Sequence, residues 1–248
     1  MIEVQDIYFL CLMIMIFSIF QSCLGVGLLL FGTPTLIILG YSYVETLWII
    51  LPSSIVISLA QVLSDRDLIQ AKKSIFLSTV PALVIGLIII LLSGSLFNIS
   101  KIVGIGLLIV ASIRQSKALN NYLSNYIIKR TNMYLLFTGL IHGLSNMGGG
   151  PLSILMSSLH NSKIVIRVNI AYVYLFFGIA QIIILTIFKL NFFEVSYLIF
   201  PLVAIMSYFI IGKTLSNFID DNKYQSFITI MIFTYGLLAL IDVNSYIN

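Results

Sequence analysis

Apolar residues run in blocks of about twenty along almost the whole chain, from Ile7 to Ile241, with few charges inside any block. A block of that length crosses the hydrocarbon core of a bilayer as one α-helix. The blocks fall at roughly 7–30, 35–63, 74–96, 100–117, 133–158, 166–188, 193–216 and 224–241, which predicts about eight membrane helices, with seven and nine as the neighbouring counts. Two blocks are irregular. Gly25-Val26-Gly27 and Gly32-Thr33-Pro34 precede or interrupt the second, and His142-Gly143-Leu144-Ser145-Asn146-Met147-Gly148-Gly149-Gly150-Pro151 lies inside the fifth. Between Pro34 and Gln61 the pattern allows a short half-helix and then a full crossing, divided near Gly40–Glu45.

Three glycines followed by a proline make a poor helix interior. Non-helical backbone at membrane depth is tolerated only where protein buries it or where it lines a cavity. A broken helix in each half of a chain is a transporter pattern.

Composition fixes the class. Of 248 residues 60% are hydrophobic and 9% charged, and the mean hydropathy is +1.10, whereas a soluble domain carries roughly 25% charged residues. The expectation is an all-α integral membrane protein in the cell membrane (the inner membrane, if the source is bacterial), with the lipid bilayer as its solvent and no large soluble domain. The net charge of +4 reads as loop lysine and arginine rather than a nucleic-acid surface. Basic clusters occur at Arg66, Lys72 and Lys73, and at Arg114, Lys117, Lys129 and Arg130; eight spans place both on one side with both termini, which predicts cytoplasmic termini. The N-terminal Met1–Asp6 has acidic residues and no basic stretch, so the first helix is expected to stay in the mature protein. Cys11 and Cys23 read as small core hydrophobes, and neither metal nor cofactor is expected. A homo-oligomer is compatible with such a chain.

The most polar stretch divides the chain into a first transmembrane repeat at 1–118, a connecting loop at 119–131 and a second repeat at 132–248, each repeat with four helices. The halves echo one another. Pro34 pairs with Pro151, Leu59-Ala60-Gln61-Val62 with Ile179-Ala180-Gln181-Ile182, and Pro81 with Pro201. Matches in one order indicate an internal duplication, either parallel or inverted.

This duplicated set of spans, each opening with a glycine-rich segment and a proline, resembles the TauE/SafE family of sulfite and organosulfonate exporters. Gly148-Gly149-Gly150-Pro151 carries the likeness best, and Gly25 to Gly40 is a variant without the triple glycine. The resemblance implies secondary transport, export above all, of a small anion such as sulfite, an organosulfonate or a related carboxylate.

The residues suit that task. Glycine exposes backbone amides, and proline opens a helix whose N-terminus attracts anions. Gly25, Gly27, Thr33 and Pro34 from the first half, and Ser145, Asn146, Gly148, Gly149, Gly150 and Pro151 from the second, are therefore candidate substrate-binding residues. Close helix packing and helix capping are the competing roles. His142 is a candidate for both substrate binding and proton coupling, since an ionisable residue inside a span marks a functional site. Asn169 is the preferred ligand-facing residue of its span, and Gln61 and Gln181 are expected to be polar groups on the pathway or bonds between helices. An ion or proton gradient would drive transport by alternating access, because no Walker A sequence occurs. An anion channel is the alternative. An intramembrane serine hydrolase built on Ser145 and His142 is a remote one, lacking both a nucleophile elbow and a third orienting group.

Overall fold

The computed structural model describes residues 4–70, 73–93, 99–238 and 240. Lys72 and the residues before Val4, with their acidic Glu3, lie outside these. Among the described residues all regular structure is helical. In chain order the elements are α1 (Val4–Leu24), α2 (Leu28–Ile38), α3 (Tyr43–Ser64), α4 (Lys73–Ser93), α5 (Ile99–Gln115), α6 (Lys117–Lys129), α7 (Thr131–Ser145), α8 (Gly149–Leu159), α9 (Lys163–Phe188), α10 (Val195–Phe218, through a 3₁₀ start and a π-turn at Tyr208–Gly212) and α11 (Asp221–Leu238). Four of them, α1 from Ile7, α3, α9 and α10, are long and apolar enough to cross a membrane. Shorter apolar helices occur at Leu28–Ile38, Phe76–Leu92 and Ser226–Leu237.

Both glycine-rich segments are hairpin tips. Gly25 adopts a left-handed conformation (φ +79°), and a Cβ at Gly27 would overlap the backbone of Gln21. The chain reverses here, so Phe31 returns to Phe17 and Phe20, with ring centroids 6.1 and 6.0 Å away. The second tip does the same with Asn146, which ends α7 at φ 60°. Gly148 then lies against the His142 ring, and the Tyr134 hydroxyl donates to the Pro151 carbonyl at 2.9 Å. Each tip thus joins a helix to a shorter helix folded back along it, α2 on α1 and α8 on α7, and a break at 39–42 separates the half-helix α2 from the full-length α3, near the division expected at Gly40–Glu45. Ser42 and Glu45 form the capping box that starts α3.

The long helices pack in fixed directions. The Trp48 indole donates to the Lys189 carbonyl at 3.1 Å, Ile55 meets Gly178, and the Gln70 amide donates to Asn169 Oδ1 at 2.8 Å. Hence α3 and α9 run antiparallel. Helix α4 lies parallel to α7 at backbone contact, since Cβ atoms at Gly139 and Gly143 would overlap the carbonyls of Thr79 and Leu83. Gly139-x-x-x-Gly143 is a small-residue stripe of the kind that joins membrane helices through van der Waals contact. On the other side α10 packs on α1, with Gly212 against Ser22, and α11 on α5, with Gly236 against Leu108 and the Gly104 carbonyl.

These directions put nearly all basic positions at one end of the bundle. Arg167 bonds Asp65, Lys163 reaches the carbonyls of Ser216 and Ile219, and Tyr224 donates to the Leu24 carbonyl, so the ends of α1, α3 and α10 and the starts of α9 and α11 meet there. The hydrogen bond between Ser158 and Ser124 brings α6 to the same end. Lys101 and Lys189, with the start of α1 and the finish of α11, lie at the other. The basic clusters therefore sit opposite the start of α1 and the finish of α11, contrary to the expectation that they share a side with them. Each hairpin enters and leaves at the same end, which an unbroken span does not.

One other expectation needs correction. The 119–131 segment is not a loop: Lys117–Lys129 is helical, with Leu123 and Ile127 turned inward and Asn121, Asn125 and Lys129 outward. Its single apolar stripe is diluted by polar neighbours in any average over the segment. Pro34 stands in the first turn of the α-helical part of α2, Thr33–Ile38, as expected of a helix-opening proline, but the helix runs back to Leu28 through a π-turn. The π-turn at Leu28–Gly32 widens the helix just ahead of the proline, where an amide donor is missing. Trp48 is buried against α9 and Phe193.

The close contact between α4 and α7 makes a direct test. Gly143→Val should destabilise the purified protein by about 1–3 kcal/mol through overpacking, read as a lower thermal midpoint in detergent. Ile85→Val, at a position 57% exposed on the outer surface of α4, should leave the midpoint unchanged.

Candidate functional site

At the second tip four polar side chains form one hydrogen-bonded chain through the buried interior. Asn146 Nδ2 donates to the Thr33 hydroxyl at 2.8 Å, Gln181 Nε2 donates to Asn146 Oδ1 at 3.2 Å, and His142 Nε2 lies 3.2 Å from Gln181 Oε1. Thr33 in turn donates to the Leu29 carbonyl at 2.7 Å. All four residues are within 1% of complete burial. Buried polar groups at this depth need partners, and this chain supplies them across α2, α7, the tip and α9.

The start of α8 lies beside the chain. Gly149 and Gly150 stand in its first turn, where amides have no partner inside the helix; the Gly150 amide reaches the Met147 carbonyl only at 3.4 Å. The surroundings leave Gly149 no room for a side chain: the Tyr174 hydroxyl occupies the place of its Cβ, with Val26 of the first tip at 3.3 Å from that point. Leu107 of α5 covers Gly150. Tyr174 Oη and His142 Nδ1, both fully buried, have no hydrogen-bond partner among the described residues, and both border this helix start. The ring centroids of His142 and Tyr174 are 5.7 Å apart, and Phe177 lies 4.6 Å from His142.

The first tip is built differently. Gln21 occupies the position there that His142 occupies in the second, four residues ahead of the left-handed residue. Its Oε1 accepts from the Leu28 amide at 3.2 Å and so caps α2, while its Nε2 donates to the hydroxyls of Ser54 and Ser58 at 3.1 and 3.2 Å. Gln61 Nε2 donates to the carbonyls of Gln21 and Ser22, both at 3.1 Å. Here the protein's own amides fill the helix start.

The sequence-predicted residues therefore separate. Thr33, His142, Asn146 and Gln181 come together, with Gly148, Gly149, Gly150 and Pro151 beside them. Gly25 and Gly27 shape the other tip, which touches the cluster through Val26. Pro34 is buried within α2. Ser145 donates to the Ile141 carbonyl and accepts from the Met147 amide, closing the turn, and His142 Nε2 is engaged by Gln181; no serine–histidine pair forms. Asn169 stands elsewhere: its amide donates to the carbonyls of Leu68 and Val165 and its carbonyl accepts from Gln70, which ties down the segment after α3. Gln61 braces the first tip.

Three residues escaped the sequence reading. Tyr174 gave no signal among thirteen tyrosines. Gln21 did give one, as an amide four residues before Gly25, matching the spacing of His142 and Asn146. Arg167 looked like a loop charge, yet it is nearly buried, pairs with Asp65 at 2.8 Å, and donates to Ser216 Oγ at 2.7 Å and the Ser22 carbonyl at 3.4 Å. It binds α9 to α1, α3 and α10 beside Gly25.

The family model described as sulfite exporter TauE/SafE matches residues 10–239. No curated protein and no solved structure matches the chain.

The left-handed backbone at Asn146 separates its two roles. Asn146→Gly and Asn146→Ala both remove the bonds to Thr33 and Gln181, but only alanine is strained at positive φ. Asn146→Ala should be less stable than Asn146→Gly by about 1 kcal/mol, measured by thermal unfolding of the two purified variants.

Proposed function

We propose, on the premise that the chain belongs to the sulfite exporter TauE/SafE family, that it carries a small anion across the membrane by alternating access around the start of α8. That the protein is a membrane-embedded transporter follows from the family and from its apolar helices. The substrate reading rests on the helix start itself, with Gly149 and Gly150 in the first turn and the orphaned hydroxyl of Tyr174 against Gly149. Amide donors and a helix dipole attract an oxyanion without a permanent cation. Sulfite, an organosulfonate or a related carboxylate fits this donor set.

The two halves read as inverted repeats of five elements: a hairpin of two helices and then three further helices. The left-handed residues Gly25 and Asn146, the tip glycines Gly27 and Gly148, the hairpin residues Gln21 and His142, and the bracing glutamines Gln61 and Gln181 correspond in order, and α3 and α9 run in opposite directions. This arrangement replaces the pairing of Pro34 with Pro151 by one based on the tips. Inverted repeats with discontinuous helices at mid-membrane support alternating access. The cluster is buried, and Arg167 pairs with Asp65 at the basic end.

The basic end is the cytoplasmic one by the positive-inside rule, so the start of α1 and the finish of α11 face outward. An alkaline phosphatase joined after α11 should be active in cells and a fluorescent protein joined there dark; the reverse result would overturn this orientation. Transport itself is tested in proteoliposomes. Purified protein should carry sulfite with saturable kinetics, and Gly149→Val, which drives a side chain into the Tyr174 hydroxyl, should abolish that flux. Flux that rises linearly with concentration would favour a channel, and no flux of sulfite, methanesulfonate or acetate would remove the anion reading.

A further inference from the structure

The hydrogen-bond chain at the second tip has a direction. The Leu29 carbonyl can only accept, so the Thr33 proton points to it and Thr33 Oγ1 must accept from Asn146 Nδ2. Asn146 Oδ1 then faces Gln181 Nε2, which leaves Gln181 Oε1 toward the histidine. A carbonyl oxygen requires a donor, so His142 carries its proton on Nε2. In the neutral ring, Nδ1 is consequently a bare lone pair, buried and without a partner. It lies 3.0 Å from the point where a Cβ on Gly148 would stand, at the start of α8.

We infer that the start of α8 is the protein's single anion site, and that His142 Nδ1 takes up one proton with each anion bound. The inference rests on the anion-transporter reading and specifies its ligand as an oxyanion accompanied by a proton. An anion alone among Val26, Leu107 and Phe177 would be costly, and so would an imidazolium alone. Each removes the penalty of the other. On binding, a proton from the aqueous phase, or from the ligand's own acidic O–H, forms the Nδ1–H bond while Nε2 keeps its proton and its bond to Gln181. The anion then receives hydrogen bonds from Nδ1–H, the Tyr174 hydroxyl and the first-turn amides. The titratable groups around the ring are Tyr174 of α9 and Tyr43 of α3, whose hydroxyl donates to the Gly143 carbonyl at 3.4 Å. Helix α8 has no ionisable residue, and at the glycine contacts between α4 and α7 the α4 residues are Thr79, Leu83, Gly86 and Leu87.

The first tip cannot duplicate the site, because Gln21 Oε1 already holds the Leu28 amide. One monoanion and one proton make a neutral load. Transport of a monoanion should therefore respond to a pH gradient and not to membrane potential.

Methanesulfonate, an anion with no acidic proton, isolates the effect. Purified protein in weakly buffered detergent should take up one proton per methanesulfonate bound, measured by calorimetry in buffers of different ionisation enthalpy, with a stoichiometry of one anion per chain. Tyr174→Phe should weaken binding about tenfold, the loss of one buried hydrogen bond, and leave the proton count unchanged. His142→Gln should bind without proton uptake, or lose binding while keeping its thermal midpoint. Wild-type binding with no proton uptake, or two anions per chain, would overturn the inference and leave the transporter reading intact. Failure to bind methanesulfonate, sulfite and acetate at any pH would instead overturn that reading, and the inference with it.

Discussion

Backbone that leaves the helix inside a bilayer must find hydrogen-bond partners within the protein, and the arrangement of this molecule follows from that demand at two hairpin tips. The chain turns at Gly25–Gly27 and again at Ser145–Gly148, and α3 and α9 carry the polar groups that meet the freed backbone and the side chains near it. Gln61 answers the end of α1, and Gln181 answers the second tip through His142 and Asn146. Polar positions that looked scattered along apolar spans are the fittings for two turns.

The tips differ in what they leave unsatisfied. An amide side chain with donor and acceptor at Gln21 closes the first tip on itself, and the helix start is spoken for. Replacing that amide by an imidazole leaves one ring nitrogen idle, and Tyr174 brings an idle hydroxyl to the same place. The first tip is thus filled by its own side chain, while the second keeps two unpartnered polar atoms.

Much of this was legible in the sequence because its cause is local. Gly148-Gly149-Gly150-Pro151 announces a break wherever it stands, a lone histidine in an apolar block demands a partner, and the half-helix before Tyr43 shows in the polar Gly40–Glu45 gap. What could not be read depends on distant packing. Asn169 and Gln181 lie on one helix and look alike in sequence, yet one meets a loop and the other meets His142, because α9 passes both. Tyr174 acquires meaning only from the absence of a side chain at Gly149. Helix α6 was hidden by averaging, and the sidedness of the basic residues by counting each hairpin as a single crossing.

The glycine contact of α7 with α4 has one further consequence. Helix α4 comes from the first half of the chain but is welded, backbone against backbone, to the hairpin of the second; α10 of the second half lies likewise on α1 of the first. The two halves of the sequence are therefore interlaced rather than stacked side by side, and under the proposed alternating access any body that shifted as a unit would carry helices from both halves.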